Sequence, residues 1–319
     1  MNEILLTGVT GFVGSALLKR LCFDGVSPTV ALRREGVDLP FSLNRCIVDG
    51  VIGSTDWTVA LSGHKVVVHC AARVHVMRDT ASDPLDAFRS VNLYGTLNLA
   101  RQAMEAGVRR FVFISSIGVN GAVTFSSPFN AGSPVAPHSP YALSKYEAEM
   151  GLLRLAEKTG MEVVIIRPPL VYGPGAPGNF GSLMRWLERG VPLPLGAIHN
   201  QRSLVALDNL VDLIVTCITH PAAANQTFLV SDGEDVSTTE LLRRMGKAMG
   251  HPARLLPVPA NLLKLVATML GKRDVAQRLC SSLQVNIEKT RRLLDWTPPL
   301  SLDQGLKKAA EGYGRETGI

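Results

Sequence analysis

Tyr141 and Lys145 stand four apart in Ser139-Pro140-Tyr141-Ala142-Leu143-Ser144-Lys145. A serine followed by a proline suits the cap and first residue of a helix. The phenol then falls in the first turn and the amine one turn on along the same face. A phenol titrates near pH ~10 in water, and both a neighbouring ammonium and the positive end of a helix favour its ionised form. The spacing therefore predicts a tyrosine of lowered pKa that exchanges a proton with an alcohol near neutral pH. Pairs of this kind also arise by chance, so the surrounding residues decide. Ser115 and Ser116 follow the apolar run Arg110-Phe111-Val112-Phe113-Ile114. That is the carboxyl end of a predicted strand, where ligands bind in open α/β sheets. From there Ser116 would orient a substrate oxygen beside Tyr141.

A second group lies at the start of the chain. Gly8-Val9-Thr10-Gly11-Phe12-Val13-Gly14 follows Ile4-Leu5-Leu6 and opens a segment with helical spacing, residues 12–21. Glycines permit a tight turn and close backbone approach to a pyrophosphate, and the free N–H groups of a helix start attract the anion. Position between strand and helix makes this loop a strong dinucleotide signal. Gly8, Thr10, Gly11, Phe12, Val13 and Gly14 are its candidate contacts. Where such sheets usually place an acid for the ribose of NAD, the second strand (Thr29-Val30-Ala31-Leu32) delivers Arg33 and Arg34. Guanidinium forks match phosphate oxygens. NADP(H) is therefore expected ahead of NAD(H), the alternative being a solvated basic turn with Glu35 on the ribose. Asn92 shares a helical face with Leu85, Phe88, Gly95 and Leu99. A buried amide needs partners, either a water or carbonyl near Lys145 or a neighbouring loop.

The elements that must carry these groups alternate strand and helix. Lys65-Val66-Val67-Val68-His69 and Glu162-Val163-Val164-Ile165-Ile166 add further strands apolar enough to be covered on both faces. The fold class is α/β, a doubly wound parallel sheet of Rossmann type. Beyond Arg167 prolines and glycines crowd residues 168–178 and 191–196. Residues 1–166 are assigned to the dinucleotide-binding sheet, with 200–225 returning to it. Residues 167–199 and 226–319 form a smaller, less regular substrate-binding part.

Composition narrows the classes. The 319 residues are 46% hydrophobic and 19% charged, which describes a well-cored globule. No run reaches the roughly 18 apolar residues of a membrane span, and Met1-Asn2-Glu3 lacks a basic leader. A cytoplasmic protein with no membrane partner is expected. Five scattered cysteines lack metal-ligand spacing, so they are taken as reduced and no metal is assigned. The net charge of +6 is spread through Arg and Lys without an aromatic-interleaved cluster, which argues against nucleic acid.

Taken together the motifs resemble the extended short-chain dehydrogenase/reductase family, in particular its nucleotide-sugar epimerases, dehydratases and 4-ketoreductases. The similarity covers nearly the whole chain. It runs through Gly8 to Gly14, His69-Cys70-Ala71-Ala72, Asn92 with Gly95-Thr96, Ser115-Ser116 and the Tyr141/Lys145 pair. It continues in Arg167-Pro168-Pro169-Leu170-Val171-Tyr172-Gly173-Pro174, Arg202-Ser203-Leu204-Val205-Ala206-Leu207-Asp208-Asn209-Leu210 and Leu294-Asp295-Trp296-Thr297-Pro298. The resemblance implies a catalytic triad of Ser116, Tyr141 and Lys145, with Lys145 also on the nicotinamide ribose. It implies cofactor contacts at Ala71, Ala72 and Asn92. Asn179 and Arg202 would meet the nucleotide diphosphate, joined by Arg278 or by Arg273. Pairing of two copies through residues 83–106 and 140–158 is common in the family, so a homodimer is expected.

Three departures refine this. The family's Gly-Asp pair near the adenine pocket stands reversed as Asp49-Gly50. Leu283 falls where hexose-specific epimerases carry a tyrosine, which leaves room for an N-acetyl group. Ser116 is followed by Ile117-Gly118-Val119-Asn120 with no acid, so dehydration is disfavoured. Ala71-Ala72-Arg73-Val74-His75-Val76-Met77 looks like the branch that builds 6-deoxy-N-acetylhexosamines for bacterial surface polysaccharides, with His75 either an exposed loop histidine without a role or a sugar contact. The expected activity is therefore at C4 of a UDP-(N-acetyl)hexosamine, as reduction of a 4-keto-6-deoxy intermediate. The alternative is a UDP-glucose or UDP-N-acetylglucosamine 4-epimerase with tightly bound NAD. A non-catalytic dinucleotide sensor is a remote third, since sensors tend to lose the tyrosine or lysine kept here.

Overall fold

The computed structural model describes residues 3–74 and 83–317. Seven strands form one sheet: β1 (Ile4–Thr7), β2 (Thr29–Leu32), β3 (Arg45–Ile47), β4 (Val66–His69), β5 (Arg110–Ile114), β6 (Glu162–Arg167) and β9 (Gln226–Leu229). Their order is β3-β2-β1-β4-β5-β6-β9, and every pairing is parallel. The doubly wound α/β sheet expected from the sequence is present. Its inner strands are apolar on both faces because both faces are covered. Val112 and Val164 point with Val68 into a core completed by Leu17, Leu18 and Leu21 of α1 (Phe12–Phe23) and Leu210 and Ile214 of α7 (Leu207–Thr219). Phe111, Phe113 and Ile165 point the other way, onto Leu99 and Ala103 of α4 (Thr96–Glu105) and Ala148 and Leu152 of α5 (Pro140–Thr159). Short helices α2 (Thr58–Leu61) and α3 (Pro84–Arg89) lie on the way.

A second, three-stranded sheet is built from β7 (Leu170–Tyr172), β8 (Arg202–Ala206) and β10 (Asp235–Val236), in the order β10-β8-β7. It packs with α6 (Asn179–Glu188), α8 (Thr238–Ala248) and α12 (Leu302–Thr317) around Tyr172, Phe180, Leu242 and Leu306. Helices α9 (Ala260–Met269), α10 (Arg273–Cys280) and α11 (Glu288–Leu294) complete the chain. Here the structure redraws the expected return to the large sheet. β8 pairs with β7 and β10, so the return begins only with α7, and β9 carries it past residue 225. The apolar run of β8 carried no information about which sheet would pair with it.

His69, the last residue of β4, is fully buried and tightly partnered. Its Nδ1 is 2.8 Å from Thr7 Oγ1 of β1 and its Nε2 is 3.1 Å from Thr96 Oγ1 of α4. Its ring stacks on Phe113 at 5.9 Å. Burial, with the nearby Lys145 charge adding to it, pushes the imidazole down to about 3 from 6.5. Between those values the unfolded chain takes up a proton that the folded chain refuses, so this site loses stability as pH falls below 6.5. Denaturant unfolding should show wild type losing about 2–3 kcal/mol more than His69→Gln between pH ~7 and ~4.5. Equal losses in the two proteins would show that the imidazole protonates inside the fold.

Candidate active site

The glycine loop is held by contact between main chains. Gly8 has φ +76°, and a Cβ there would sit 2.5 Å from the Ala71 amide nitrogen and 2.7 Å from the Cys70 carbonyl carbon. At Gly14 a Cβ would lie 2.1 Å from the Gly8 carbonyl oxygen. The turn after β1, the first turn of α1 and the turn after β4 are thus pressed together, which no larger residue permits. The Gly11 amide donates to the Gly8 carbonyl at 2.9 Å, and no side chain caps α1 at Gly11. With no side-chain cap, the first turn of α1 presents leading amides of the kind that suit an anion, and Thr10 is exposed beside them. This cradle fits the pyrophosphate of a dinucleotide. Ala71 and Ala72 form its neighbouring wall, with the Ala71 amide donating to Thr7 Oγ1 at 3.3 Å. Arg33 and Arg34 are both exposed beyond β2, as is Asp49 beyond β3.

Ser139 caps α5 as expected, accepting from the Ala142 amide at 3.2 Å with Pro140 as the first helical residue. Tyr141 is half-buried, its ring 6.0 Å edge-on from Phe88. Lys145 is 2% exposed. Its Nζ donates to the Ile114 carbonyl at 2.8 Å and lies 4.4 Å from the centre of the Phe113 ring. This corrects the expected electrostatics. Burial pushes the Tyr141 phenol up to about 12 and the Lys145 amine down to about 8. The ammonium is turned towards the end of β5, and desolvation outweighs the helix terminus. Cys70 shares the pocket, its thiol pushed up to about 12 by burial.

Ser116 Oγ accepts from the Gly118 amide at 3.1 Å and caps the short turn Ile117–Val119. That turn packs on the first turn of α5, since a Cβ at Gly118 would be 3.3 Å from both Ser116 Oγ and the Ala142 methyl. Ser116, Tyr141 and Lys145 therefore converge at the carboxyl end of β5. Asn92 sits in a π-helical turn, Ser90–Gly95, a local widening of the helix frequent at functional sites. Its Oδ1 accepts from the Arg73 amide at 2.8 Å, and its Nδ2 donates to the Arg73 carbonyl at 3.0 Å and to Ser144 Oγ at 3.1 Å. Of its two expected roles, satisfying a neighbouring loop is the one observed. Asn92 positions the turn after β4 against α5, with both hydrogens of its amide engaged there.

One group escaped the sequence reading. Glu149 and Arg167, 1% and 7% exposed in their side chains, form a two-pronged pair: Nε to Oε1 at 3.0 Å and Nη2 to Oε2 at 2.5 Å. Ser115 Oγ donates to Glu149, and Arg167 Nη1 donates to Asn120 Oδ1 at 3.0 Å. The available signal was a carboxylate one turn beyond Lys145 on the buried face of α5, and an arginine ending an otherwise apolar strand. Tied in this way, Glu149 is not placed to act as the acid that dehydration would need.

On the substrate side, Arg202 opens β8 and its Nη1 donates to the carbonyls of Arg278 and Ser281 at 2.7 and 3.2 Å. Burial lowers its pKa. Leu283 is buried and pairs with Arg202 as a β-bridge. Arg278 meets Arg202 through its carbonyl, and its own side chain is exposed, as is Arg273. Asn179 is exposed at the start of α6. His75 lies outside the described residues. Among the described residues no cluster suits a metal ion, and all five cysteines are free thiols.

Comparison with known proteins gives a consistent result. A family model described as "NAD dependent epimerase/dehydratase family" matches residues 4–231. A Vibrio cholerae protein named UDP-glucose 4-epimerase is 50% identical over 314 residues, covering 98% of this chain and 95% of its own. Two solved structures share the fold. UDP-N-acetylglucosamine 4-epimerase of Bacillus cereus superposes with a TM-score of 0.81 at 20% identity, over 98% of this chain and 99% of its own. MoeE5 in complex with UDP-glucose and NAD gives 0.78 at 23% identity, over 99% and 100%.

The buried pair yields a prediction. Glu149→Gln keeps the volume but leaves the Arg167 guanidinium without its counter-charge, which should cost about 3–5 kcal/mol in denaturant unfolding. An unchanged unfolding midpoint would show that the pair does not hold α5 on the sheet.

Proposed function

This chain belongs to the NAD-dependent epimerase/dehydratase family, an enzyme of the extended short-chain dehydrogenase type, and on that premise we propose that it is a 4-epimerase of a UDP-linked hexose or N-acetylhexosamine working with resident NAD. The observation that carries this reading is the 50% identity, over 98% of the chain, to the Vibrio cholerae UDP-glucose 4-epimerase. It favours the epimerase over reduction of a 4-keto-6-deoxy sugar. The NADP(H) preference rested on Arg33 and Arg34, which are exposed. The family is described as NAD-dependent, and the MoeE5 structure holds NAD. No comparison supports NADP.

The turn from Gly8 to Gly14 and the leading amides of α1 would hold the pyrophosphate, with Ala71 and Ala72 alongside. Bound there, the dinucleotide supplies reversible two-electron oxidation of a carbinol carbon. The Oη of Tyr141 takes the proton of the sugar's C4 hydroxyl as that carbon is oxidised, and returns it to the same oxygen afterwards. Ser116 Oγ donates a hydrogen bond to that oxygen while charge develops on it. Lys145, whose ammonium is held at the end of β5, would offer positive charge near the phenolate as it forms. Asn179, Arg202 and Arg278 would grip the diphosphate. A grip at the diphosphate leaves the sugar ring free to present either face, which epimerisation requires.

Purified protein with no added cofactor should interconvert UDP-glucose with UDP-galactose, or UDP-N-acetylglucosamine with UDP-N-acetylgalactosamine. Tyr141→Phe should keep its circular dichroism spectrum and lose turnover by roughly 10²-fold or more. Stoichiometric consumption of NADPH with a UDP-4-keto-6-deoxy sugar, without interconversion, would restore the reductase.

A further inference from the structure

Helix α9 carries its apolar stripe on the outside. Leu262, Leu265, Val266, Met269 and the adjoining Leu270 recur at the spacing of one helical face, and they are 50%, 55%, 44%, 80% and 66% exposed. No residue of α9 is fully buried. The helix is seated by Ala260 and Leu263, which pack on the core of the smaller sheet, leaving the wider stripe uncovered. Leu256 before it and Val275 after it are exposed as well. Trp186 and Val191, each 41% exposed, stand at the end of α6 and just beyond it. The following loop is bonded to the segment leading into α9, with the Leu193 amide donating to the Arg254 carbonyl at 2.8 Å.

Charge completes the picture. Between positions 241 and 273 the chain has seven Lys and Arg and no Asp or Glu. The whole chain has 33 basic and 27 acidic residues, so without this stretch the counts are 26 and 27. The net charge of +6 is thus accounted for by this segment, the remainder being close to neutral. Arg244 is paired with Glu234 and Glu240. Arg254, Lys264, Lys272 and Arg273 are exposed in this stretch, which is bounded by Glu240 and by the exposed Asp274.

We propose that the outer face of α9, with the cations around it, docks on the surface of an anionic lipid bilayer. An apolar stripe flanked by lysine and arginine, with a tryptophan nearby, gains both from insertion at the headgroup boundary and from anionic lipid. A second copy of the chain fits less well, because a symmetric contact through this face would set like charges against each other. Among the described residues no helix is long and apolar enough to cross a membrane. A helix lying in the interface needs no such length. The docking face adjoins the substrate side through α10, whose Arg278 carbonyl holds Arg202.

Co-sedimentation of the full chain with vesicles tests this whatever sugar chemistry the enzyme performs. Wild type should pellet with phosphatidylglycerol/phosphatidylethanolamine vesicles, bind phosphatidylcholine vesicles far less, and be released at about 0.5 M salt. Leu265→Glu with Met269→Glu should weaken binding about tenfold or more, and Lys264→Glu with Lys272→Glu should abolish the preference for anionic lipid. Both double variants should keep wild-type circular dichroism and solution turnover. Wild type that stays in the supernatant, or pelleting unaffected by Leu265→Glu with Met269→Glu, would overturn the proposal. So would a wild-type dimer that this double variant splits on light scattering, which would give the face to a second copy.

Discussion

A carboxylate and a guanidinium that have both left water sit beneath the carboxyl ends of β5 and β6. Stripping hydration from Glu149 and Arg167 costs several kcal/mol for each ion, and only good geometry with further hydrogen bonds offsets it. The Glu149–Arg167 pair meets those conditions through its two-pronged contact and through Ser115 and Asn120. The geometric result is a fixed depth for α5 over the sheet. Lys145 lies one turn before Glu149 and Tyr141 one turn before that, so the pair sets the height of both at the end of β5. Ser115 joins the same network, and the next residue is Ser116. The three groups of the candidate site are thus registered to one another by an interaction that touches none of the reacting atoms.

A second constraint fixes where a dinucleotide can lie relative to that site. Main chain meets main chain at Gly8, Gly14 and the turn after β4, and Asn92 pins the continuation of that turn at Arg73 while holding Ser144 of α5. The turn after β4, which packs on the glycine loop, and helix α5 are therefore joined by hydrogen bonds through a single buried amide. The π-helical turn around Asn92 widens the helix where the amide faces inward. Such a turn is retained where the position of a side chain outweighs the less favourable helical geometry.

Much of this was legible because it depends on local chemistry. The glycine loop could be read since only glycine tolerates the contacts at Gly8 and Gly14. The inner strands could be read since burial on both faces leaves an unbroken apolar run. Ser139-Pro140 announced a helix start whose hydrogen bond is present. What stayed hidden depends on distant partners. β8 is buried like a strand of the large sheet, and its assignment was decided by β7 and β10. The ionisation of Tyr141 turns on where the flexible stem of Lys145 points, and spacing along a helix cannot specify that. Glu149 and Arg167 are 18 residues apart with a strand boundary between them. Each alone resembles an ordinary surface charge.

The same distinction separates what the triad can decide from what it cannot. The proposed triad of Ser116, Tyr141 and Lys145 would serve any reversible oxidation at a carbinol, because all such reactions move one proton at the same oxygen. Net reduction and epimerisation differ elsewhere, in whether the cofactor is exchanged at each turnover and whether the sugar can present both faces. Exchange is governed by how the dinucleotide is gripped, and rotation by how far from the ring the substrate is anchored. The groups proposed to anchor the substrate, Asn179, Arg202 and Arg278, lie on α6, β8 and α10, in the part of the chain least regular in sequence. The 50% identity to the Vibrio cholerae protein extends over 98% of the chain and so takes in those groups as a set. A match confined to the triad would leave the two reactions undivided.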